Sequence, residues 1–329
     1  MKKIYNLKAF SLAELMVVML ILTIILAATM PILSKRAKIK AAAAASAQSK
    51  SNTLVCTKIV TGTPINVTLT DDIPLLQYFM YGGGGGGGGW YSYSGGSGGS
   101  SAIVYDGVVQ GFATGGNGGR YSFAATAGGM SSGSVINLVA GKTLQAYAGG
   151  GGGGGGGSGN YIYGTSTNCT SASSTYGGGG GGAGYYGGNG GAGHNTGSQA
   201  TQSAIGATAS APAANSGGGY WDAGSTQRYG QNGSLYTGGN GYRVGSYYAR
   251  GGNASSGGTS DSTGGGGGGY AGDGADACVA SRTGGTSGST PNTGAPGLSG
   301  NTSNYYAGTG GKGGSVTIIY FTTGDSCFL

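Results

Sequence analysis

The sequence is poor in side chains that carry out acid–base or nucleophilic chemistry. Charged residues make up only 8% of the 329 residues, and the single histidine, His194, stands in the polar stretch GGNGGAGHNTGS. A lone histidine in such a loop is more often solvated than catalytic. Eight carboxylates follow Glu14, and the nearest to a cluster are Asp273 and Asp276, which alone are weak evidence for calcium binding. We therefore expect that the protein is not an enzyme and that it binds neither a metal ion nor a cofactor.

Positive charge is also sparse and unclustered. The formal net charge is +7, and the basic residues beyond residue 40 are scattered without a run or a stripe. Binding to nucleic acid normally requires clustered lysine and arginine. The sequence therefore predicts no nucleic-acid partner.

Proline is scarce in the region where glycine is most abundant. All but one of the 82 glycines lie between Gly82 and Gly324, where they make up a third of the residues. Collagen needs a strict three-residue period and abundant proline, whereas this region has three prolines and no such period. Glycine loses much backbone entropy on folding, so a disordered brush is the alternative to a folded domain.

The longest apolar run lies near the N-terminus. Residues 15–33 carry no charge over nineteen positions, which is about 28 Å as a helix and enough to cross a bilayer. A cleaved secretory signal has a shorter apolar core, of about 7–15 residues. Here the run continues through two basic residues into the alanine-rich stretch AKIKAAAAASAQ, which has high helix propensity. The sequence therefore predicts a helix that extends beyond the membrane.

The sequence FSLAELMVV, which begins at Phe10, and the basic leader before it resemble the N-terminus of type IV pilins and of the pseudopilins of type II secretion. In that family a dedicated peptidase cuts on the cytoplasmic side, before a phenylalanine, and methylates the new amino terminus. The resemblance implies cleavage between Ala9 and Phe10, with alanine in place of the usual glycine. It also places Glu14 at the family's glutamate and Pro31 where many members have a helix-loosening proline.

Glu14 and Pro31 have physical roles in this reading. An isolated carboxylate in a membrane helix is costly and needs a partner, which the amino terminus of Phe10 in a neighbouring subunit would supply. In a low dielectric, register errors would leave a charge unpaired. Pro31 removes a backbone donor and would loosen the helix where neighbours crowd. We assign both residues to assembly; a tolerated acid near the membrane interface is the alternative for Glu14.

The region after residue 53 alternates strand-like pieces with glycine runs. LVCTKIV and INVTLT, separated by TGTP, predict a β-hairpin, and VAGKTL predicts a tight turn between two strands. Strand composition recurs at 101–114, 120–126, 134–148 and 314–321. Long glycine runs occupy 82–89, 149–157, 177–182 and 264–269.

This pattern resembles the glycine-rich domain of phage tail-fibre adhesins and of anaplastic lymphoma kinase-type receptors. The matching pieces are INLVAGKTLQAYAGGGGGGGGG, YGGGGGGAGYYGGNGGAG and AGTGGKGGSVTIIYF. The resemblance implies a small β-sandwich completed by a bundle of glycine helices. A polyproline-II-like helix has three residues per turn and no internal hydrogen bonds, so side-chain-free helices can approach closely and bond backbone to backbone.

The four cysteines are widely spaced and show no CxxC pattern, which argues against zinc or thioredoxin-like chemistry. An even number outside the cytosol favours two disulfides. Pairing Cys56 with Cys327 would tie the start of the head to its end, and pairing Cys169 with Cys278 would clamp the glycine bundle. Four cysteines allow three connectivities, so the sequence leaves the pairing open.

Aromatic residues among the glycine runs are the candidates for ligand binding, because aromatics dominate binding hot spots. Their alternative role is to cover a glycine bundle that has no side chains of its own. The candidates are Trp90, Tyr91, Tyr93, Tyr185, Tyr186, Tyr220, Trp221, Tyr247 and Tyr248.

Together these patterns predict an α+β chain: a leader (1–9), a long transmembrane and assembly helix (10–52), and an all-β glycine-rich head (53–329) formed by a β-sandwich and polyglycine II-like helices. The predicted function is a subunit of a type IV pilus-type filament whose head mediates surface attachment. The alternatives are a pseudopilin of a secretion or DNA-uptake machine and an anchored adhesin that does not polymerise. The expected partners are a prepilin peptidase, other pilin subunits and a surface glycan or protein. The precursor would cross the inner membrane once, with its N-terminus in the cytoplasm, before joining a cell-surface filament.

Replacing Glu14 with alanine tests the assembly role. We expect Glu14→Ala to abolish or disorder filaments while membrane insertion persists, because the acid sets the stagger and the apolar run supplies the membrane affinity. Electron microscopy of sheared surface material, with membrane fractionation as the control, measures both. Filaments of normal number and stagger in this variant would contradict the role assigned to Glu14.

Overall fold

A computed structural model describes most of the C-terminal unit, Thr53–Leu329, and no residue before it. The described residues are 54–60, 62–89, 94–120, 123–156, 178–191, 200–208, 219–221, 227–241, 251–252, 267–268, 273–276, 294, 308–322 and 326–329. The predicted leader (1–9) and N-terminal helix (10–52) therefore lie outside the described residues.

All regular structure in the described residues is β-strand. The strands are β1 (Leu54–Val60), β2 (Ile65–Thr68), β3 (Ile73–Tyr81), β4 (Ser101–Tyr105), β5 (Val108–Ala113), β6 (Met130–Leu138), β7 (Thr143–Tyr147), β8 (Ala200–Gln202), β9 (Gly219–Trp221), β10 (Gln227–Tyr229) and β11 (Ser315–Thr322). Across these residues there is no helix of the length and apolarity that a membrane span requires.

The predicted α+β class is wrong for the described part of the chain, which is all-β. Its strands are rich in the β-branched and aromatic residues that favour sheets. The segments between them are rich in glycine, which among residues other than proline is the least favourable in a helix interior. Nothing in the described residues supports the long N-terminal helix.

Two antiparallel four-stranded sheets enclose the apolar core. The first sheet has the order β1-β11-β3-β6 and the second has the order β2-β7-β4-β5. Both contribute to one cluster of buried side chains, with Leu76, Met80 and Ile318 from the first sheet and Ile103 and Leu144 from the second. A separate three-stranded sheet has the order β10-β9-β8.

A disulfide closes the first sheet. Cys56 on β1 is bonded to Cys327, 271 residues further along the chain, and Cys56 is 1% exposed. The backbone N–H groups of Phe328 and Leu329 both donate to the hydroxyl of Tyr320 on β11, at 2.8 and 3.1 Å. The chain end is therefore held against the strand that pairs with β1. This pairing is one of the two considered from the sequence.

The hairpin predicted for LVCTKIV and INVTLT is wrong. The two strands lie in different sheets: β1 pairs with β11, and β2 pairs with β7. The turn residue Gly62 has a φ of 94°, so the local turn signal was correct. The pattern assigned the wrong strand partners because β1 pairs with the distant strand β11, next to the Cys56–Cys327 disulfide, rather than with its neighbour in sequence, β2.

The other strand predictions have mixed outcomes. The stretch 101–114 forms the hairpin β4–β5, whose turn residues Asp106 and Gly107 have φ values of 49° and 78°. The stretch 314–321 forms β11. The strand predicted at 120–126 is wrong for the residues described there, Arg120 and 123–126: Arg120 and Phe123 form an isolated bridge, and 124–126 belong to no strand.

The glycine-rich segments between the strands form a bundle held by backbone hydrogen bonds. Along 82–87, the first residue of each triplet donates its N–H to residues in 126–129. The second donates to 96–99 and the third to 309–312, at N···O distances of 2.8–3.0 Å. A three-residue repeat with no internal bonds is the geometry of a polyproline-II-like helix. We call this set of segments the glycine bundle; it comprises 82–89, 94–100, 114–120, 123–129, 148–156, 178–191, 204–208, 230–241, 251–252, 267–268, 273–276 and 308–314.

The segment 94–100 lies at the centre of the glycine bundle, and all seven of its residues are buried. Its backbone bonds to six neighbours: 83–86, 116–119, 150–153, 179–182, 185–189 and Ala207. A buried peptide group needs a hydrogen-bond partner, and here neighbouring backbones supply those partners without any sheet.

Glycine is required in the glycine bundle for its missing side chain rather than for its backbone freedom. Among the described glycines, only Gly62, Gly107, Gly141 and Gly294 have positive φ, and Gly294 lies outside the bundle segments. At most other described glycines, a Cβ would overlap a neighbouring backbone carbonyl. The packing of backbone on backbone therefore dictates the composition.

Gly98→Ala should strongly destabilise the head, because its Cβ would overlap the Gly83 carbonyl in the middle of the glycine bundle. Overpacking of this kind costs about 1–3 kcal/mol or more. Gly107→Asn is the matched control: a side chain there meets open space, and asparagine tolerates its positive φ. Chemical denaturation of both variants measures the difference. Equal stability of the two would contradict close backbone packing.

Candidate functional site

Polar side chains enter the glycine bundle at every third position of its central segment. This segment reads Ser-Gly-Gly-Ser-Gly-Gly-Ser from Ser94 to Ser100. The hydroxyl of Ser97 accepts a 2.6 Å bond from the backbone N–H of Asn189, and that of Ser100 accepts a 2.8 Å bond from the N–H of Tyr186. Because the helix repeats every three residues, successive serines face the same neighbouring segment.

Asn189 joins three segments of the glycine bundle. Its side chain is almost fully buried, with the residue 1% exposed. Its Nδ2 donates to the carbonyl of Ile205 at 2.6 Å, and its Oδ1 accepts from the N–H of Gly233 at 2.8 Å. Asn117 and Asn240, which share the sequence Gly-Gly-Asn-Gly, also accept backbone N–H bonds from other segments. These side chains substitute for peptide groups.

Asp273 and Asp276, the acids considered for calcium, contact backbone in the same way. The carboxylate of Asp273 accepts from the N–H of Gly313 at 2.9 Å and forms a 2.8 Å salt bridge with Lys312. Asp276 accepts from the N–H of Gly310 at 2.9 Å. Nowhere in the described ranges do three His, Cys, Asp or Glu side chains gather as metal ligands would.

Four tyrosines form a cluster where the glycine bundle meets the second sheet. We call Tyr147, Tyr185, Tyr186 and Tyr236 the tyrosine cluster. The rings of Tyr147 and Tyr236 stack at 5.0 Å with an interplanar angle of 20°, and their hydroxyls lie 3.3 Å apart. Tyr185 meets Tyr147 at 5.5 Å and Tyr236 at 6.3 Å, and packs edge-on against Tyr186 at 5.1 Å. The cluster is therefore one continuous aromatic group.

Three parts of the chain position the tyrosine cluster. Tyr147 is the last residue of β7, and Tyr185 and Tyr186 form the bend between two glycine segments. Tyr236 lies in the tight turn 234–237, in which the N–H of Thr237 donates to the carbonyl of Ser234. The N–H of Tyr236 donates to the carbonyl of Tyr185 at 3.1 Å. The turn and the bend are therefore fixed to each other through their backbones.

The tyrosine cluster has a buried floor and a half-exposed rim. Tyr147 is 5% exposed and belongs to a second apolar cluster that includes Val109 and Phe112. Tyr185 and Tyr236 are half-buried. Burial raises the pKa of Tyr185 above its ordinary value, and the charges of Tyr186 and Tyr236 raise it further. The Tyr185 hydroxyl is therefore neutral and able to donate at physiological pH.

The predicted binding residues have different outcomes. Tyr185 and Tyr186 both belong to the tyrosine cluster. Tyr220 and Trp221 are residues of strand β9. The remaining five candidates lie outside the described residues: Trp90, Tyr91, Tyr93, Tyr247 and Tyr248.

The sequence analysis did not identify Tyr147 and Tyr236 as site residues. Tyr147 follows the alternation of a strand, and nothing local distinguishes it from a core residue. Tyr236 carries a usable signal, because Ser-Leu-Tyr-Thr is a short bulky piece between two glycine segments. Such a piece indicates a turn that carries large side chains.

Several other predicted residues lie outside the described part of the chain. They are the processing residues Ala9 and Phe10, the assembly residues Glu14 and Pro31, the cysteines Cys169 and Cys278, and the lone His194. Their assignments stay predictions.

Comparison with protein-family models, with characterised proteins and with solved structures finds no match to this chain. The resemblances to pilins and to glycine-rich adhesin domains are therefore predictions from the sequence.

Asn189→Ala should lower the free energy of unfolding by about 1–3 kcal/mol, because it leaves the buried N–H of Gly233 and the part-buried carbonyl of Ile205 without their partners. The matched control is Asn66→Ala on the exposed side of β2, where one weak bond from Gln145 is lost. We expect the control to change stability by less than about 0.5 kcal/mol. Urea unfolding of both proteins measures the values. A cost at Asn189 no larger than at Asn66 would contradict its linking role.

Proposed function

We propose that the chain is a structural subunit of a type IV pilus-type filament and that its glycine-rich head mediates attachment to a surface. The observation that carries the proposal is the sequence from Ala9 to Pro31. There a processing site, an acid at the fifth mature position and an uncharged apolar run follow one another. The proposal includes no catalytic activity.

The position of the first strand supports a display role for the head. Leu54 pairs with Thr322 at the last residue of β11, whereas the glycine bundle joins β11 at its first residue, Ser315. These two ends of the strand are roughly 20 Å apart. Leu54, the first described residue, therefore lies at one end of the first sheet, and the glycine bundle joins the other end.

The outer face of the first sheet supports assembly with other subunits. Val55, Phe321, Leu75 and Ile136 lie side by side across its four strands. Val55 is 56% exposed and Ile136 is 62% exposed. Monomeric proteins rarely leave contiguous apolar surface uncovered, and such surface marks interaction sites. A face of this kind fits a protein that packs against copies of itself.

The proposal implies specific partners and places. A prepilin peptidase would process the chain at Ala9–Phe10, while the precursor sits in the inner membrane with its N-terminus in the cytoplasm. Other pilin subunits, identical or different, would then assemble with it into a cell-surface filament. The ligand of the head would be a glycan or a protein on the contacted surface.

Intact-mass analysis of sheared surface material and of membranes tests the proposal. We expect the sheared fraction to contain Phe10–Leu329 with one added methyl group and without four hydrogens, because processing, methylation and two disulfides each change the mass. Reduction is the control and should restore the four hydrogens. A gain of only two would leave Cys56–Cys327 as the sole disulfide.

Two other outcomes would overturn the filament assignment. The processed mass found only in membranes would favour a pseudopilin of a secretion or DNA-uptake machine. An unprocessed precursor would instead leave a membrane-anchored adhesin that does not polymerise.

A further inference from the structure

Tyr236 occupies a backbone position that ordinarily belongs to glycine. Its φ is 67°, and it is the third residue of the turn 234–237. In a type II turn this third position has a positive φ and is normally occupied by glycine or asparagine. A bulky residue in this conformation is an outlier. The other positive-φ residues among the described ones are glycines, Asp106 and Asn137, which tolerate it.

The strain at Tyr236 is unexpected in a chain with so much glycine. Backbone strain that persists in a structure points to a role for the side chain rather than for the backbone. The ring of Tyr236 stacks on the buried ring of Tyr147 and places its hydroxyl 3.3 Å from that of Tyr147. The strained turn therefore holds one aromatic ring at a fixed position beside Tyr185.

The arrangement of the tyrosine cluster fits a ligand with an apolar face and a polar edge. Tyr147 forms the buried floor, and Tyr185, Tyr186 and Tyr236 are half-buried around it. Tyrosines supply rigid amphipathic surface at low entropic cost. Within the described residues, the hydroxyls of Tyr185 and Tyr186 make no hydrogen bond. They are therefore free to bond with a ligand.

The surroundings of the tyrosine cluster favour an uncharged ligand. Within the described residues, the cluster packs in one apolar group with Ala102, Val104, Val109, Phe112 and Ala183, and the groups that shift the pKa of Tyr185 there are neighbouring tyrosines. A charged ligand group brought against such a surface would lose hydration without gaining a partner. A sugar ring, by contrast, offers C–H groups to aromatic faces and hydroxyls to the tyrosine hydroxyls.

We propose that the tyrosine cluster binds a neutral carbohydrate, with Tyr236 as a stacking residue and Tyr185 as a hydrogen-bond donor. The inference rests on the attachment role proposed above, since it names the class of ligand that the head would contact.

Binding of the full-length chain, purified in detergent, to immobilised neutral oligosaccharides tests this inference, with sialylated oligosaccharides and an apolar peptide as competing probes. We expect binding to neutral sugars, weakened at least about tenfold in Tyr236→Gly because a stacking residue is lost. The thermal midpoint of Tyr236→Gly should change little, because glycine relieves the strain at this φ while the stacking contact is lost. Tyr185→Phe should weaken binding several-fold without a change in the midpoint.

Phe79→Ala is the matched control, because it removes a 40% exposed aromatic ring from the first sheet and should leave sugar binding unchanged. Absence of binding to every neutral sugar would overturn the inference, as would preference for the sialylated probes or for the apolar peptide. Undiminished sugar binding by Tyr236→Gly would also overturn it. A large fall in the thermal midpoint of Tyr236→Gly, together with unchanged sugar binding by Tyr185→Phe, would mean that the tyrosine cluster has a structural role. That result would also contradict the proposed carbohydrate site.

This experiment and the mass analysis fail independently. A processed filament subunit that binds no neutral sugar would leave the filament role intact and remove the carbohydrate site. An unprocessed chain whose sugar binding depends on Tyr236 would do the reverse.

Discussion

Hydrogen bonding between backbones that carry no side chains is the constraint on which the rest of the head depends. A buried peptide group must find a partner, and the central segment 94–100 finds its partners in six neighbouring segments. This is feasible only if the backbones approach more closely than a Cβ permits. The constraint therefore acts on composition first. It also explains the serine, asparagine and aspartate residues within the bundle, such as Ser97, Asn189 and Asp276, whose polar side chains bond to backbone N–H groups of other segments.

The glycine bundle and the two four-stranded sheets contribute different terms to the stability of the head. Glycine buries almost no apolar surface, so the bundle contributes little hydrophobic stabilisation. The two sheets supply that term through a shared core with side chains such as Leu76, Ile103 and Ile318. The strands also fix where glycine segments begin and end: 82–89 continues β3, and 94–100 leads into β4. The disulfide between Cys56 and Cys327 then holds the two ends of this arrangement together.

The sequence predicted those features of the fold that depend on residues close together in the chain, and it did not predict those that depend on distant residues. Alternating β-branched residues identified 101–114 and 314–321 as strands, because composition and turn residues are read from neighbours in sequence. The hydrogen-bonded pairing of β1 with β11 could not be predicted from the strand pattern, since the partner is more than 250 residues away; only the possible Cys56–Cys327 disulfide pointed to contact between the two ends of the head. The glycine region was read as lacking a period. In fact short triplets such as Ser-Gly-Gly and Gly-Gly-Asn repeat within segments, but each segment is too short and too differently phased for a chain-wide period to emerge.

The same constraint decides where recognition can occur. At most of the described glycines of the bundle even a Cβ has no room, so few positions accept a large side chain. Tyr185 and Tyr186 stand at a bend, and Tyr236 stands at a turn that tolerates it only with strain. The sequence revealed the first two because they interrupt a glycine run. It could not reveal that a strand end, Tyr147, would complete the group, because that contact depends on how the second sheet meets the bundle. The candidate site is thus a consequence of packing that excludes side chains almost everywhere else.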